Sequence, residues 1–539
     1  MNLRSALLFA ALVAASSVSA RPQSAPSHDP ALDFRTSARC MVCHSNLKNS
    51  KGESVSIGQL WRASIMANAA ADPYWQGSVR RETIDHPEVS GAIQSECARC
   101  HMPLQYLQDK SAGRDTEVFS RLPLSAANDH DAAAIEGVTC TVCHQIQSAG
   151  LGTAATYNGN FAVAPPATDP RPLFGPFTGY SDNVLHIHTL TSGYTLQQAA
   201  QIRDAGLCGS CHTLFTTTRG PGGKAIGQLP EQMPYIEWLH SDYRDKQTCQ
   251  QCHMPAAGEP VLVASLMGSP RDGVRLHTFD GANFLMAGML AAHHDDLGVA
   301  APPADLDAAA ARAVAFLQSQ AARVTLTAPQ LSSGTLDFAV KVENLTGHKL
   351  PTAYPSRRAW LHVTVTAADG RVVFESGKLN PDGSIAGNAN DADPARFSPH
   401  YPLITGPGQV EIFEPILGDA EGHVTTGLLT ATQYLKDNRI LPTGFDKQAA
   451  PTEIAVHGAA SADPAFTAGS CTTRYSVPAP SAPLHIAVEL IYQPVGYRWA
   501  HNLAPYKAAE PQRFVDYYNQ AAAKSAIVLA HSEATVTGK

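Results

Sequence analysis

Beyond residue 324, apolar and polar residues alternate with a period of two. The clearest runs cover residues 324–327, 336–342, 360–365, 372–374 and 484–491, and Gly, Pro, Asn and Asp separate them. This alternation is typical of strands that bury one face, and several such strands with turn residues between them favour a sandwich. We therefore predict a β-sandwich-like domain over residues 324–539.

The pattern before residue 324 favours helices and loops. Residues 194–205, 283–297 and 305–323 have apolar positions at helical spacing, and residues 58–66 begin as a helix. The Asp72-Pro73 pair is interpreted as a stop for that last helix, and residues 150–192, rich in Gly, Pro and Thr, are interpreted as loops. The predicted fold class is α+β, with a mostly helical and loop-rich domain over residues 21–323.

The first twenty residues have the features of a secretory signal peptide. Arg4 gives a short basic start, residues 6–15 are apolar, and Val18-Ser19-Ala20 forms a cleavage site. No later stretch is long and apolar enough to span a membrane. We expect an exported, periplasmic protein, with extracellular release or peripheral attachment to the envelope as alternatives. A cytoplasmic start with a buried helix is the competing interpretation.

The chemistry of the chain is concentrated in a Cys-x-x-Cys-His unit that occurs five times and uses ten of the eleven cysteines. This unit is the attachment signature of c-type haem. The two thiols form thioethers with the haem vinyl groups, and the adjacent histidine binds the iron. The predicted cofactors are therefore five covalently bound haems. Zinc or disulfides are the alternatives, but a zinc site does not require a histidine after every second cysteine. The predicted thioether pairs are Cys40 and Cys43, Cys97 and Cys100, Cys140 and Cys143, Cys208 and Cys211, and Cys249 and Cys252, with His44, His101, His144, His212 and His253 as the iron ligands.

Each motif fills only one axial position of its iron, and the opposite ligand decides the function. A second histidine gives a low-potential carrier, a methionine raises the potential, and an open position admits a substrate. His277 follows the last motif in a turn-like context, and His348 lies between Gly347 and Pro351 near the start of the β-domain. The remaining candidates are His186, His188, His130 and Met66.

Charge and composition limit the partners. The formal net charge is −8, to which each haem adds two propionates, so nothing indicates nucleic acid. We expect redox partner proteins of the periplasm or cell envelope, and the oligomeric state stays open. Residues 382–393 are rich in Gly, Asn and Asp, so we consider calcium there, although their spacing does not match an EF-hand loop.

Two short stretches repeat. Trp61-x-x-Ser64-x-Met66 matches Trp238-x-x-Ser241-x-Tyr243, and each precedes a copy of Cys-x-x-Cys-His-Met-Pro. Such self-similarity indicates related haem-binding modules.

Residues 40–260 resemble the multihaem c-type cytochromes. The Trp-x-x-Ser-x-Met stretch and the Cys-His-Met-Pro endings resemble, more narrowly, the superfamily of the tetrahaem cytochrome of ammonia oxidation, hydroxylamine oxidoreductase and pentahaem nitrite reductase. In those relatives the position of Met66 is often a histidine that serves as a distal ligand. Residues 136–145, 277–283 and 346–352 resemble bacterial multihaem proteins with a C-terminal β-domain. Pentahaem nitrite reductases usually carry lysine in the catalytic motif, whereas all five motifs here end in histidine.

Three functions follow as expectations. The first is an electron carrier in which closely packed haems form a wire. The second is a multihaem oxidoreductase that acts on a small nitrogen or sulfur compound at one open haem, with Met66 and Tyr243 marking the haems to inspect. The third is a subunit of an extracellular haem filament, which the bulky β-domain disfavours. Whether the chain is an enzyme is left open.

Overall fold

The structure is a computed structural model that describes residues 34–122, 132–164 and 170–537. The predicted signal peptide and His130 lie outside the described residues. The fold is α+β, as predicted, with helices concentrated before residue 321 and the two large sheets after it. Among the described residues, no helix is both long and apolar enough to cross a membrane.

The α-helices of the described residues are mostly short. They are α1 (Ala38–Met41), α2 (Ile57–Arg62), α3 (Pro73–Asp85), α4 (Ser90–His101), α5 (Pro103–Ser111), α6 (Ala132–Ile135), α7 (Cys140–Cys143), α8 (Asp182–Ser192), α9 (Ala205–Gly209), α10 (Pro234–Leu239), α11 (Cys249–His253), α12 (Phe284–Ala292), α13 (His294–Leu297), α14 (Pro303–Gln320), α15 (Ala389–Ala392), α16 (Tyr497–His501) and α17 (Ala509–Ala521).

The strands lie mainly in the second half of the chain. They are β1 (Arg171–Gly175), β2 (Tyr194–Gln198), β3 (Leu214–Arg219), β4 (Ala225–Gln232), β5 (Ala322–Leu326), β6 (Gln330–Ser332), β7 (Thr335–Asn344), β8 (Arg358–Ala367), β9 (Val372–Ser376), β10 (Leu403–Ile404), β11 (Ile412–Phe413), β12 (Pro415–Gly418), β13 (Val424–Thr425), β14 (Gln433–Asp437), β15 (Phe466–Thr467), β16 (Ser470–Pro478), β17 (Leu484–Gln493) and β18 (Ile527–Val536).

Two mainly antiparallel sheets form most of residues 322–536, which we call the β-region. The first has the order β10-β16-β7-β5, and the second has the order β11-β8-β17-β18. Val340 of β7, Val363 of β8 and Val488 of β17 are fully buried in one shared hydrophobic core. Alternate residues of each strand therefore face the opposite sheet, as the period of two predicts. Cys471 of β16 is buried in the same core, and burial raises the pKa of its thiol.

Several local predictions in the first half are wrong. Asp72-Pro73 starts a helix rather than ending one, because the Asp72 side chain caps the amides of Tyr74 and Trp75 and Pro73 occupies the first helical position. Residues 194–205 form strand β2 and a short 3₁₀ turn instead of a helix. Residues 150–192, interpreted as loops, contain β1 and α8. These short elements pair with distant segments, so tertiary contacts override their local signals.

The two halves of the chain pack against each other. The same core that holds the sheets includes Tyr74 of α3 and Leu290 of α12. Helix α17 returns to α3, where Arg80 forms a double hydrogen bond of 2.9 Å with Glu510. The boundary that we predict at residue 324 falls inside β5, and the division into two domains stays a prediction.

A buried histidine in the β-region makes its stability depend on pH. His400 lies between two carboxylates, with Nδ1 2.6 Å from Glu411 and Nε2 2.9 Å from Asp463. Burial by itself would lower the pKa of His400, but the two carboxylates outweigh it and raise that pKa. The proton therefore stabilises the fold below about pH 6.5, the ordinary value for histidine, and this contribution is lost as the pH rises through the raised pKa.

We expect His400→Gln to lower the free energy of unfolding by about 3 kcal/mol near pH 6, because it leaves two buried carboxylates without their cation. In thermal unfolding, the Tm of the parent protein should fall as the pH is raised through the pKa of His400. The Tm of the variant should not show this fall. The matched control is His423→Gln, since that imidazole is 78% exposed beside Asp419. Equal effects of the two substitutions would contradict the prediction.

Candidate haem sites

Each Cys-x-x-Cys-His motif lies on a single helical turn. Numbered in chain order, motif 1 begins in α1, motif 2 ends α4, motif 3 forms α7, motif 4 begins in α9, and motif 5 forms α11. The histidine amide bonds to the carbonyl of the first cysteine, for example at 3.0 Å from His144 to Cys140. Residues three apart lie on one face of such a turn, so both thiols point the same way.

All five motifs open into one cavity. Its volume is about 2300 Å³, and both cysteines and the histidine of every motif line it. Pockets for a single small molecule are roughly 300–1,000 Å³. The cavity is therefore of the size expected for several large cofactors in contact, and its mainly apolar lining suits the faces of porphyrin rings.

Four of the motif histidines are held by a hydrogen bond from Nδ1. Nδ1 of His44, His144 and His253 lies 2.6 Å from a backbone carbonyl oxygen, and Nδ1 of His101 lies 3.1 Å from another. An imidazole that donates through Nδ1 keeps Nε2 as the free, metal-binding nitrogen. These carbonyls belong to Val263, Phe174, Asp280 and Ala69. The rings are thus oriented as iron ligands by segments far away in the sequence.

His277 lies opposite the histidine of motif 3. Its ring centre is 6.3 Å from that of His144, and the ring planes differ by 14°. Two imidazoles on opposite sides of one metal place their ring centres roughly 6.2 Å apart, because each metal–nitrogen bond is about 2.0 Å and each nitrogen is about 1.1 Å from its ring centre. His277 also donates through Nδ1, to the Arg275 carbonyl at 3.0 Å. The pair therefore has the spacing of two ligands on one iron.

His348 and the histidine of motif 5 repeat this arrangement. The ring centres of His253 and His348 are 6.3 Å apart with planes 18° from parallel. Nδ1 of His348 lies 3.0 Å from the Lys349 carbonyl oxygen, which again leaves Nε2 free. The segment that carries His348 comes from the loop after β7, so the β-region reaches into the cavity that the motifs line.

Motifs 3 and 5 share further supports. The Trp61 indole donates to the Val138 carbonyl and the Trp238 indole to the Gln247 carbonyl, each at 2.9 Å. In both cases that carbonyl lies two residues before the first cysteine of the motif. The sequence repeat thus corresponds to a repeated contact, although Trp61 supports motif 3 rather than motif 2, which it precedes.

The other candidate ligands differ in position. His188 lies on α8, lines the cavity near His44, and its Nδ1 is 3.0 Å from the Tyr194 carbonyl oxygen. His186 is exposed and does not line the cavity, because residues two apart on a helix face different directions. We therefore remove His186 from the ligand candidates.

Met66 and Tyr243 do not mark matching sites. Met66 lies in turns beyond the end of α2, not on a helix as predicted, and it does line the cavity. Tyr243 lies near Cys252 of motif 5, and its hydroxyl donates to the Leu345 carbonyl at 2.7 Å. The fifth motif already has His348 opposite it, so Tyr243 gives no evidence of an open haem.

Burial keeps the ligand-type imidazoles neutral. It lowers the pKa of four of them to about 4, and neutral imidazole is the form that binds metals. The four are His101, His212, His277 and His348. His212 is enclosed by protein, yet its ring remains exposed toward the cavity.

Thiols of different motifs meet inside the cavity. Cys140 lies beside Cys40, Cys100 beside Cys211, and Cys208 beside Cys249. Motif 4 therefore lies beside both motif 2 and motif 5. Burial, followed by repulsion from Cys211, raises the pKa of Cys143 to about 12, so motif 3 also lies near motif 4.

The arrangement does not suit the alternatives of disulfides or zinc. All eleven cysteines are free thiols. Within residues 34–122, 132–164 and 170–537, only Asp419, Glu421 and His423 bring three metal-ligand groups together, and two of these side chains are exposed. The motif cysteines and histidines instead spread around a cavity far larger than a metal ion.

The segment considered for calcium uses its carboxylates internally. Asp382 accepts from the amide and hydroxyl of Ser384, and Asp391 accepts from Arg358 and the Ile385 amide at 2.8 Å. Both carboxylates are thus used in hydrogen bonds within the protein, and calcium in this segment stays a prediction.

Two buried carboxylates at motif 2 were not predicted from the sequence. Glu82 of α3 and Glu231 of β4 line the cavity, and repulsion from both, after burial and Glu96, raises the pKa of Cys97. Glu231 lies in a strand that we did not predict, so no sequence signal pointed to it. The helical spacing of Trp75, Val79 and Glu82 was the only available hint for Glu82.

Comparison with protein-family models and with curated protein sequences gives no match. Among solved structures, a penta-haem cytochrome c552 from Thermochromatium tepidum is similar, with a TM-score of 0.49 and 17% identity over 94% of this chain and 100% of that one. The narrower resemblance to the hydroxylamine oxidoreductase superfamily receives no support from these comparisons. The haem assignment rests on the motifs and the geometry of the cavity.

Proposed function

We propose that this chain is a periplasmic electron-transfer protein that carries five covalently bound c-type haems. The observation that carries the proposal is the single cavity of about 2300 Å³ into which all five motifs open. Haems enclosed in one cavity lie close enough to exchange electrons with one another, and the protein sets their ligands and burial.

The residues of the chain have separate roles in this function. The ten motif cysteines would anchor the haems, and the motif histidines would each hold one iron. His277 and His348 would supply the second imidazole at motifs 3 and 5, and His188 would do so at motif 1. When bound, the haems supply one-electron redox chemistry, and two-histidine ligation keeps the reduction potential low.

The contacts between motifs suggest a branched path for electrons. Motif 4 has thiol contacts with motifs 2 and 5 and lies near motif 3, which in turn touches motif 1. The fourth haem would therefore be the junction through which the others equilibrate. The predicted signal peptide supports a periplasmic location, and the acidic net charge of −8 suits a basic redox partner of the cell envelope.

The haem count tests the proposal directly. We expect the mass of the protein, exported in a host that attaches haem c, to exceed that of the chain by five haems, and all five to reduce reversibly. Cys252→Ser should leave one thioether fewer and weaken retention of the fifth haem, whereas Cys471→Ser should keep all five because that thiol is in the β-region. Fewer than five covalent haems, or haems that do not reduce reversibly, would contradict the proposal.

One observation favours a second function, a multihaem oxidoreductase. Among the described residues, eight histidines line the cavity, and five of them belong to the motifs. Three histidines cannot complete five irons. Turnover of nitrite, hydroxylamine, tetrathionate or sulfite by the purified protein would support this function, and low-spin irons throughout would argue against it.

A further inference from the structure

Among the residues that the structure describes, which do not include His130, two motifs have no histidine opposite their own. The three additional histidines of the cavity are His188, His277 and His348. They lie near motifs 1, 3 and 5, as the ring distances and the influence of His44 on His188 indicate. Within the described residues, motifs 2 and 4 therefore lack a second imidazole, and one of them is the place to look for an open iron.

Acidic side chains gather at motif 2. Helix α3 packs Trp75 flat against the His101 ring, with ring centres 4.6 Å apart, and carries Glu82 two turns further along the same face. Glu231 comes from β4, which is far from α3 in the sequence. Both carboxylates are 4% exposed, and both act on Cys97, the first thiol of motif 2.

Glu82 has an oxygen that the protein does not use. One carboxylate oxygen accepts the Leu428 amide at 2.9 Å, whereas Oε2 is buried without a hydrogen-bond partner. A buried, unpartnered carboxylate oxygen is costly, and a ligand or water at the site is the usual explanation. Because Glu82 lines the cavity, that ligand would lie in the space around motif 2.

The charges at motif 4 are different. The cation that faces His212 is Arg357, which adds to the effect of burial in lowering the pKa of that imidazole. Acidic groups thus concentrate at motif 2, whose own cation, Arg99, is bonded to Asn158 and Asn160, whereas Arg357 faces the histidines of motifs 4 and 5. The carboxylates beside Cys97 disfavour a bound anion, and Arg357 favours one.

We propose that the haem of motif 2 has an open coordination position, and that Glu82 and Glu231 select small uncharged nitrogen or oxygen compounds there and reject anions. The inference rests on haem binding at motif 2, which is part of the proposed function. It identifies the position at which a multihaem oxidoreductase would bind its substrate and the charge of that substrate.

The acidity of the site gives this selectivity a pH dependence. Burial raises the pKa of Glu231 to about 7, and it raises the pKa of Glu82 as well. Glu231 therefore carries its negative charge above about pH 7 and is neutral below. The charged and titratable groups that face these two carboxylates are Arg81, Asp85, His86, Glu96, Cys97 and Tyr354. Of these groups, Arg81 is the permanent cation.

Ligand binding to the fully loaded, oxidised protein tests the inference. Azide is the anionic probe and nitric oxide the uncharged one, and the absorption and EPR spectra report how many irons each occupies. We expect the haem of motif 2 to respond to both probes. The azide affinity should fall by about tenfold between pH 6 and pH 8, since one added charge near the iron repels the anion. The nitric oxide affinity should change much less over the same pH range. Because water or hydroxide competes with both probes, the ratio of the two affinities removes the effect of that competition.

Variants assign the responsive haem to motif 2. Glu231→Gln should raise the azide affinity at pH 8 by about tenfold and flatten its pH profile. Glu82→Gln should raise it in the same direction. The matched control is Glu136→Gln, because Glu136 lies beside Cys40 and Cys140 of motifs 1 and 3 instead. The pH profile of the unaltered protein provides the same test if a variant does not fold.

Three outcomes would overturn the inference. If no iron responds to azide, nitric oxide or, after reduction, carbon monoxide, then every iron has two protein ligands. If the ferric spectrum contains the charge-transfer band of sulfur ligation and no iron binds azide, then a methionine such as Met66 fills the position at motif 2. If one iron responds but neither glutamate variant changes its azide affinity, then the open haem lies at another motif. All three leave five reducible haems intact, whereas loss of haem from the protein would contradict the proposed function itself.

Discussion

His348→Ala should convert one of the five haems from low-spin to high-spin and allow it to bind carbon monoxide. The reason is geometric, because the His348 ring lies 6.3 Å from that of His253 and both keep Nε2 free. Removing the imidazole leaves the iron of motif 5 with a single protein ligand. His348→Met should instead restore a six-coordinate iron and raise its reduction potential, within the range of about 0.8 V that axial ligands span.

EPR of the oxidised protein and a spectroscopic redox titration measure both effects. The matched control is His240→Ala, since that imidazole is exposed and does not line the cavity. The control should leave all spectra unchanged. If His348→Ala also leaves the number of low-spin haems unchanged, then His348 is not a ligand.

Asp437→Asn should lower the free energy of unfolding by about 3–5 kcal/mol, the usual result of leaving buried charges without their partner. Asp437 is 2% exposed and accepts hydrogen bonds from Lys349 at 2.6 Å and from Arg439 at 2.7 and 2.8 Å. These two cations hold the pKa of Asp437 below its usual range despite burial. The substitution preserves shape but leaves both cations with one remaining carboxylate, Glu237, which lies 3.2 Å from Arg439.

This cluster also holds the segment that carries His348. Glu237 of α10 accepts the Lys349 amide at 3.0 Å, so the cluster joins the motif region to the loop beside β7. We therefore expect Asp437→Asn to add a high-spin fraction at motif 5 besides lowering Tm. The control is Asp245→Asn, whose side chain is 83% exposed and 3.5 Å from Arg244. Equal Tm values for the two variants would contradict the prediction, because exposed pairs contribute little.

The functional sites could be located from the sequence only where their chemistry depends on residues that are close together in the chain. Cys40, Cys43 and His44 act together because a single helical turn suffices to point two thiols one way, and the same holds for the other four motifs. The strand pattern after residue 324 was equally local, since alternation follows from one buried face. Predictions for residues 150–205 were wrong because β1 pairs with β2 across a helix, and such pairing leaves no periodic trace.

The amino-acid sequence by itself determined the five haem motifs, the α+β class and a short set of candidate ligands. Only the tertiary structure decided which candidates lie opposite a motif histidine. Sequence context made His277 and His348 the first candidates, and packing places each 6.3 Å from a motif histidine, while it turns His186 to the surface. The carboxylates at motif 2 emerge in the same way, because Glu82 and Glu231 are 149 residues apart in the sequence and meet only through the fold. Covalent attachment is a local property of the chain, whereas axial ligation and electrostatic selectivity depend on groups that folding brings together.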